Sequence, residues 1–117
     1  MTYSLVFPGQ GSQETGMGRD FYDAFPAAKD IFMRADEALG FSLSRTIFNG
    51  PEEDLRRTAI TQPALLTVSI AIFECFGKEA GLSLTPAFFA GHSLGEYTAL
   101  AASGAVSLED AVRLVHL

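Results

Sequence analysis

Residues 91–95 read Gly-His-Ser-Leu-Gly: a serine with glycine two positions to either side, at the seam between an apolar run and a helix-like pattern. That spacing suits a nucleophile. A serine held on a tight strand-to-helix turn projects its hydroxyl into a cleft from a strained backbone position. Neighbours two residues away then come too close for a side chain, so glycine fits at Gly91 and Gly95. A helix beginning at Ser93 aims its free N–H groups at the site and favours negative charge there. The N–H of Leu94 can donate to the oxyanion of a tetrahedral intermediate. A glycine-cornered turn carrying an unreactive serine has the same five letters, so the pattern alone leaves both readings open.

Acyl chemistry at Ser93 needs a second oxyanion donor from a neighbouring loop. "PGQGSQETGMG" at 8–18 holds four glycines directly after an apolar stretch, which frees its backbone to approach a ligand. Rival readings of the loop fail on spacing. Gly9 and Gly11 begin a dinucleotide-type G-x-G-x-x-G, but the third glycine position is Glu14. A phosphate-binding Walker loop needs a lysine, and the stretch has none. An ordinary surface loop remains the other reading.

Tyr3–Phe7 and "PAFFAG" at 86–91 read as strands, the second apolar throughout, as in a parallel sheet buried on both faces. The spacing of Ile31, Phe32, Ala35, Ala38 and Leu39 predicts a helix from Pro26 to a Gly40 cap. "SLSRTIFNG" and "PEEDLRR" predict short helical pieces. Residues 62–80 predict a long helix with no polar face, buried centrally. A helix is expected over 93–102. Ser107 and Asp110 suit a capping box for a last one. Strands separated by helices imply an α/β fold with a parallel sheet. Two strands do not complete such a sheet, so strands are hidden in the sequence or the chain is part of something larger.

Composition narrows the function classes. With 48% hydrophobic and 19% charged residues the chain can form a core, and 117 residues allow one small domain. Fourteen acids against eight bases give a net charge of −6 and no basic stripe to neutralise phosphates, so nucleic acid is not the expected partner. Lys29 and Lys78 are the only lysines. A single cysteine, Cys75, allows no internal disulfide and no cysteine-based zinc site, and reads as a buried, inert thiol. No metal site is expected. The N-terminus lacks the basic and apolar regions of a signal peptide. "ALLTVSIAIFECF" falls short of the ~20 apolar residues of a membrane span. A cytoplasmic protein without a membrane partner is the expectation.

"VFPGQGSQ" at 6–13, "TQPALL" at 61–66, "GHSLGEYTAL" at 91–100 and "DAVRLV" at 110–115 together resemble the malonyl-CoA:acyl-carrier-protein transacylase family and the related acyltransferase domains of polyketide synthases. The resemblance implies an α/β fold with a three-layer parallel-sheet core, like the α/β-hydrolase-like large subdomain of those enzymes and incomplete here. Residues 1–117 would be the N-terminal part of one acyltransferase domain. It implies Ser93 as the nucleophile that takes an acyl group from malonyl-CoA and passes it to the phosphopantetheine thiol of acyl carrier protein, with no bound cofactor, in fatty-acid biosynthesis. The backbone N–H groups of Gln10 and Leu94 would form the oxyanion hole. Gly91, His92 and Gly95 would shape the turn and line the site, and Gln62 would help shape the pocket. The family's catalytic histidine and its carboxylate-gripping arginine belong to sequence beyond Leu117. Arg113 is not that arginine, and His116 reads as a solvated helix-end residue. The fragment alone is therefore expected to be inactive, with the missing C-terminal segment as a partner. Two other classes stay open: a serine ester hydrolase, disfavoured by "GQGSQ" where an HGGG-type loop would stand, and a non-catalytic assembly element.

Overall fold

A computed structural model of the chain describes residues 4–9, 11–78, 88–91 and 94–116. Strand β1 (Ser4–Phe7) runs parallel to β2 (Phe88–Gly91), in the register Ser4↔Phe88 through Phe7↔Gly91. The expected starts of both strands, Tyr3 and Pro86, lie outside the described residues. Between the strands come α1 (Arg19–Ala24), α2 (Pro26–Leu39), α3 (Leu43–Asn49), α4 (Glu52–Leu55) and α5 (Thr58–Lys78). After β2 come α6 (Leu94–Ala102) and α7 (Leu108–His116).

Helix α2 forms where the spacing predicted it. Pro26 opens it, Ile31, Phe32 and Ala35 are buried, and Gly40 closes it at φ 79°, a conformation costly for any residue with a Cβ. The side chain of Asp36 then reaches forward to start α3, accepting from the Ser44 N–H at 2.9 Å and the Ser44 hydroxyl at 2.5 Å. Helix α1, which the sequence pattern did not announce, buries no residue fully. Its Tyr22 ring meets Phe32 and Phe48 edge-on. Helix α7 starts with the Ser107 hydroxyl accepting from the Asp110 N–H at 3.1 Å. Asp110 pairs with Arg113 at 3.3 Å.

Helices α2, α5 and α7 pack on one another around Phe32, Leu66 and Val112, and α6 connects this cluster to both strands. The sheet of the described residues has two parallel strands, with helices between and after them, an α/β arrangement as expected. Along β1, neighbouring side chains point to opposite faces. Phe7 is buried and Val6, on the opposite face, is 75% exposed.

Helix α5 departs from expectation in two ways. It begins four residues earlier, at Thr58, and carries Pro63 inside it. It also reaches the length that a membrane span requires, over Thr58–Phe76, with 56% of that stretch buried within the protein. Leu65, Leu66, Val68 and Ile70 are buried as anticipated, but Phe76 is half exposed.

Candidate functional site

Phe7 and Gly91 are partners in the sheet register, so the chain leaves the carboxyl ends of two adjacent parallel strands side by side. From β1 issues the glycine loop. From β2 the chain passes through two residues and enters α6 at Leu94. In parallel α/β sheets the carboxyl edge is where ligands bind, because loops and helix N-termini converge there. Gln10, His92 and Ser93 lie outside the described residues. Gly91, Leu94 and Gly95 lie within them and frame the strand-to-helix turn.

One close approach joins the two loops. A Cβ built on Gly95 would stand 2.3 Å from the carbonyl oxygen of Phe7, 3.0 Å from its carbon and 3.2 Å from the Pro8 oxygen. No side chain fits there, and no flexible neighbour can give way, since all three atoms are backbone. The backbone that Gly95 approaches belongs to β1 and its exit. Leu94 is the first described residue of α6, directly after the two residues that follow β2. Its side chain is buried, which anchors that first turn.

The glycine loop is braced by contacts that residue types did not announce. The Gly11 N–H donates to Gln13 Oε1 at 2.7 Å, and the Gly16 N–H donates to the Ile47 carbonyl of α3 at 2.7 Å. Gln13 is the one residue here whose role was missed. Its letter lay within the quoted motif, but a side chain folding back two positions leaves no periodic signal.

The other candidates are occupied elsewhere. Cys75 is a buried free thiol. Arg113 donates from Nε to the Ala38 carbonyl at 3.2 Å, at the end of α2. Gln62 sits half-buried in α5, directly before Pro63. His116 ends α7 as expected, but it is half-buried and engaged rather than merely solvated. Its ring stacks at a tilt on Phe41, with centroids 5.2 Å apart, and its Nδ1–H donates to the Ala59 carbonyl at 2.8 Å. The reason is legible in α5: Pro63 has no N–H to return to the carbonyl four residues back, which is that of Ala59. His116 supplies the missing donor. The same turns carry two further side-chain bonds, from the Thr61 hydroxyl to the Leu55 carbonyl and from the Thr67 hydroxyl to the Pro63 carbonyl at 2.7 Å.

Across α2 and α7, Arg34 grips both oxygens of Glu109, at 2.7 and 3.1 Å. That hydrogen bond raises the Arg34 pKa and holds the Glu109 carboxyl below its usual range. Among the described residues no three His, Cys, Asp or Glu side chains gather as a metal-binding group.

The acyl transferase domain family matches residues 4–117. The chain belongs to that family. A malonyl CoA-acyl carrier protein transacylase of Bacillus subtilis strain 168 is 56% identical over 112 residues, which are 96% of this chain and 34% of the relative. Among solved acyl transferases, an acyl-carrier-protein-S-malonyltransferase from Bartonella henselae superposes with a TM-score of 0.94 at 46% identity, covering 99% of this chain and 37% of that one. A malonyl-transacylase solved in complex with a type II PKS acyl carrier protein gives 0.92 at 43% identity, again over 99% and 37%. The chain therefore spans about a third of the length of the acyl transferases it matches.

Proposed function

We propose that residues 1–117 carry the nucleophile and oxyanion donors of a malonyl-CoA:acyl-carrier-protein transacylase, as the N-terminal part of one acyltransferase domain with a three-layer core. The observation that carries this reading is the Phe7↔Gly91 register with Gly95 against the Phe7 carbonyl. It puts the glycine loop and the strand-to-helix turn at one sheet end, where one thioester carbonyl can meet both.

In this reading Ser93 Oγ attacks the thioester carbon of malonyl-CoA and gives its proton to a base. The N–H groups of Gln10 and Leu94 receive the negative charge on the carbonyl oxygen. The C–S bond breaks, coenzyme A leaves as its thiol with the proton, and a malonyl ester stays on Ser93. The phosphopantetheine thiol of acyl carrier protein then attacks that ester, its proton passes to the base and on to Ser93, and the malonyl thioester departs. His92 lines the site without acting as base, since consecutive residues on a sharp turn point different ways. His116 is committed to Ala59. The base and a malonyl-gripping arginine come from the portion corresponding to the rest of the relatives' length, so residues 1–117 alone forgo an assistance of ~10²–10⁴-fold. No cofactor enters these steps, and a cytoplasmic setting suits both substrates.

Labelled malonyl-CoA tests the assignment. Residues 1–117 co-expressed with the remaining portion of the Bartonella henselae relative should take up covalent label, and Ser93→Ala should take up none. Label persisting on the variant would overturn the nucleophile. Release of the label as free malonate, with none reaching acyl carrier protein, would make the protein a hydrolase.

A further inference from the structure

The glycine loop after β1 is held unevenly. Its far end is tied to the helices: the Gly16 N–H donates to the Ile47 carbonyl at 2.7 Å, and a Cβ on Gly18 would meet Phe32 and Val68 at 3.1 Å. The near end has no such packing. A Cβ on Gly11 would meet nothing within 4 Å, and Gly11 and Ser12 are exposed. There, among the described residues, two hydrogen bonds hold the chain. The Ser12 N–H donates to the Gly9 carbonyl at a long 3.4 Å, and the Gly11 N–H donates to Gln13 Oε1 at 2.7 Å. They fall on either side of position 10. The Gly9 carbonyl belongs to the peptide plane before it and the Gly11 N–H to the plane after it, and a residue's φ and ψ are the rotations between those two planes.

We propose that Gln13 is the positioning residue of the oxyanion loop: by accepting the Gly11 N–H it fixes the plane that follows position 10 and keeps the Gln10 N–H aimed at the substrate carbonyl. The proposal rests on the functional reading above, in which that N–H meets the oxyanion. The middle plane of a four-residue turn flips between two orientations, and the sign of φ at the third residue records which is taken. Gly11, at φ 108°, records one of them. Glycine adopts either sign at little cost, so the residue at position 11 does not choose. The Gln13 amide oxygen does. An oxyanion donor acts by being in place before the charge develops, and a displacement of ~1 Å is enough to lose much of its effect. A bond between residues two apart, exposed to water, contributes little to the stability of the chain. Its consequence lies in where it points the backbone.

The test uses the co-expressed pair of the malonyl-label experiment, with substitutions in residues 1–117. Gln13→Met keeps the length of the side chain but offers only a weak acceptor. It should slow single-turnover acylation of Ser93 about tenfold or more, while affinity for a coenzyme A thioether, which has no carbonyl to serve, stays within about twofold. Exchange of the Gly11 amide should quicken, with the urea midpoint unchanged. Gln13→Glu restores an acceptor and should recover part of the rate. Glu14→Gln, an exposed neighbour in the same loop, should change none of these. Quicker exchange at Gly11 with acylation intact would overturn the proposal. Weaker thioether binding with an unchanged acylation rate would make Gln13 a contact to coenzyme A, and a lowered urea midpoint that Glu does not restore would make it a structural prop; either result sinks the positioning role. Absence of label on the wild-type pair would bring down the functional reading and this proposal together, whereas label indifferent to Gln13 brings down this proposal alone.

Discussion

In the helical cluster Phe32, Leu66 and Val112 are all but fully buried, whereas at the strand pair Val6 is 75% exposed one residue from the loop that serves the site. The cluster is held redundantly: α2 meets α5 and α7 through apolar packing, Arg34 binds Glu109, and His116 binds Ala59. The strand pair has four residues per strand, and α6 seats on it through one backbone approach at Gly95. The proposed function thus sets stability and chemistry in different halves. Burial of the cluster makes a rigid body; the strand half turns on one position that no side chain can fill. A fault should be local and graded in the first half and disabling in the second.

Gly95→Val is the sharpest way to break that comparison. The added atoms would lie inside the Phe7 and Pro8 carbonyls, so α6 must lift off β1, at a cost of about 3 kcal/mol or more. Urea unfolding should show the loss, and malonyl labelling of the co-expressed pair should vanish. Normal unfolding and normal label would mean a looser turn and no coupling between the two loops.

His116→Leu probes the cluster. It keeps the contact with Phe41 but leaves the Ala59 carbonyl, already deprived by Pro63, without its donor, at a cost of about 1–2 kcal/mol. His116→Gln, which can still donate, should recover part of the loss. Equal unfolding midpoints for Leu and wild type would show that water serves that carbonyl as well.

Glu109→Gln should matter less, within about 1 kcal/mol, because the pair with Arg34 is partly exposed and screened. Its pH dependence carries the sign. The folded carboxyl titrates below its unfolded value, so its contribution is present above the ordinary carboxylate range, about pH 4.3, and disappears as pH falls through the lower folded value. The stability gap between wild type and variant should be flat near neutrality and close in acid. A gap that widened in acid would contradict the direction of the shift.

Thr98→Val should do least. The Thr98 hydroxyl on α6 is buried, with no partner among the described residues, so an apolar replacement of the same shape should change stability by under about 0.5 kcal/mol, or raise it slightly. A loss above 1 kcal/mol would mean that the hydroxyl binds a group outside those residues, and would tie α6 more firmly to its surroundings than the comparison allows.

Local signals in the sequence were enough for α2, whose Pro26, apolar spacing and Gly40 act within a few residues of themselves, and for the start of α7 at Ser107. They were enough for the two strands and for Gly95, because a turn too tight for a Cβ selects glycine whatever surrounds it. They failed at α1, which is short and has no fully buried face to impose a period. They also failed at the start of α5, where Pro63 reads as a boundary until a distant histidine satisfies the carbonyl it orphans. The sequence by itself determined which residues could do chemistry and where α2, α7 and the two strands would form, since propensity, capping and steric exclusion at glycine are local. Only the tertiary structure decided that Phe7 lies beside Gly91, that His116 props α5, and that Val6 and Phe76 face an open groove. Those outcomes depend on the pairing of groups far apart in the chain, and the energy of such pairing is not written in either partner alone.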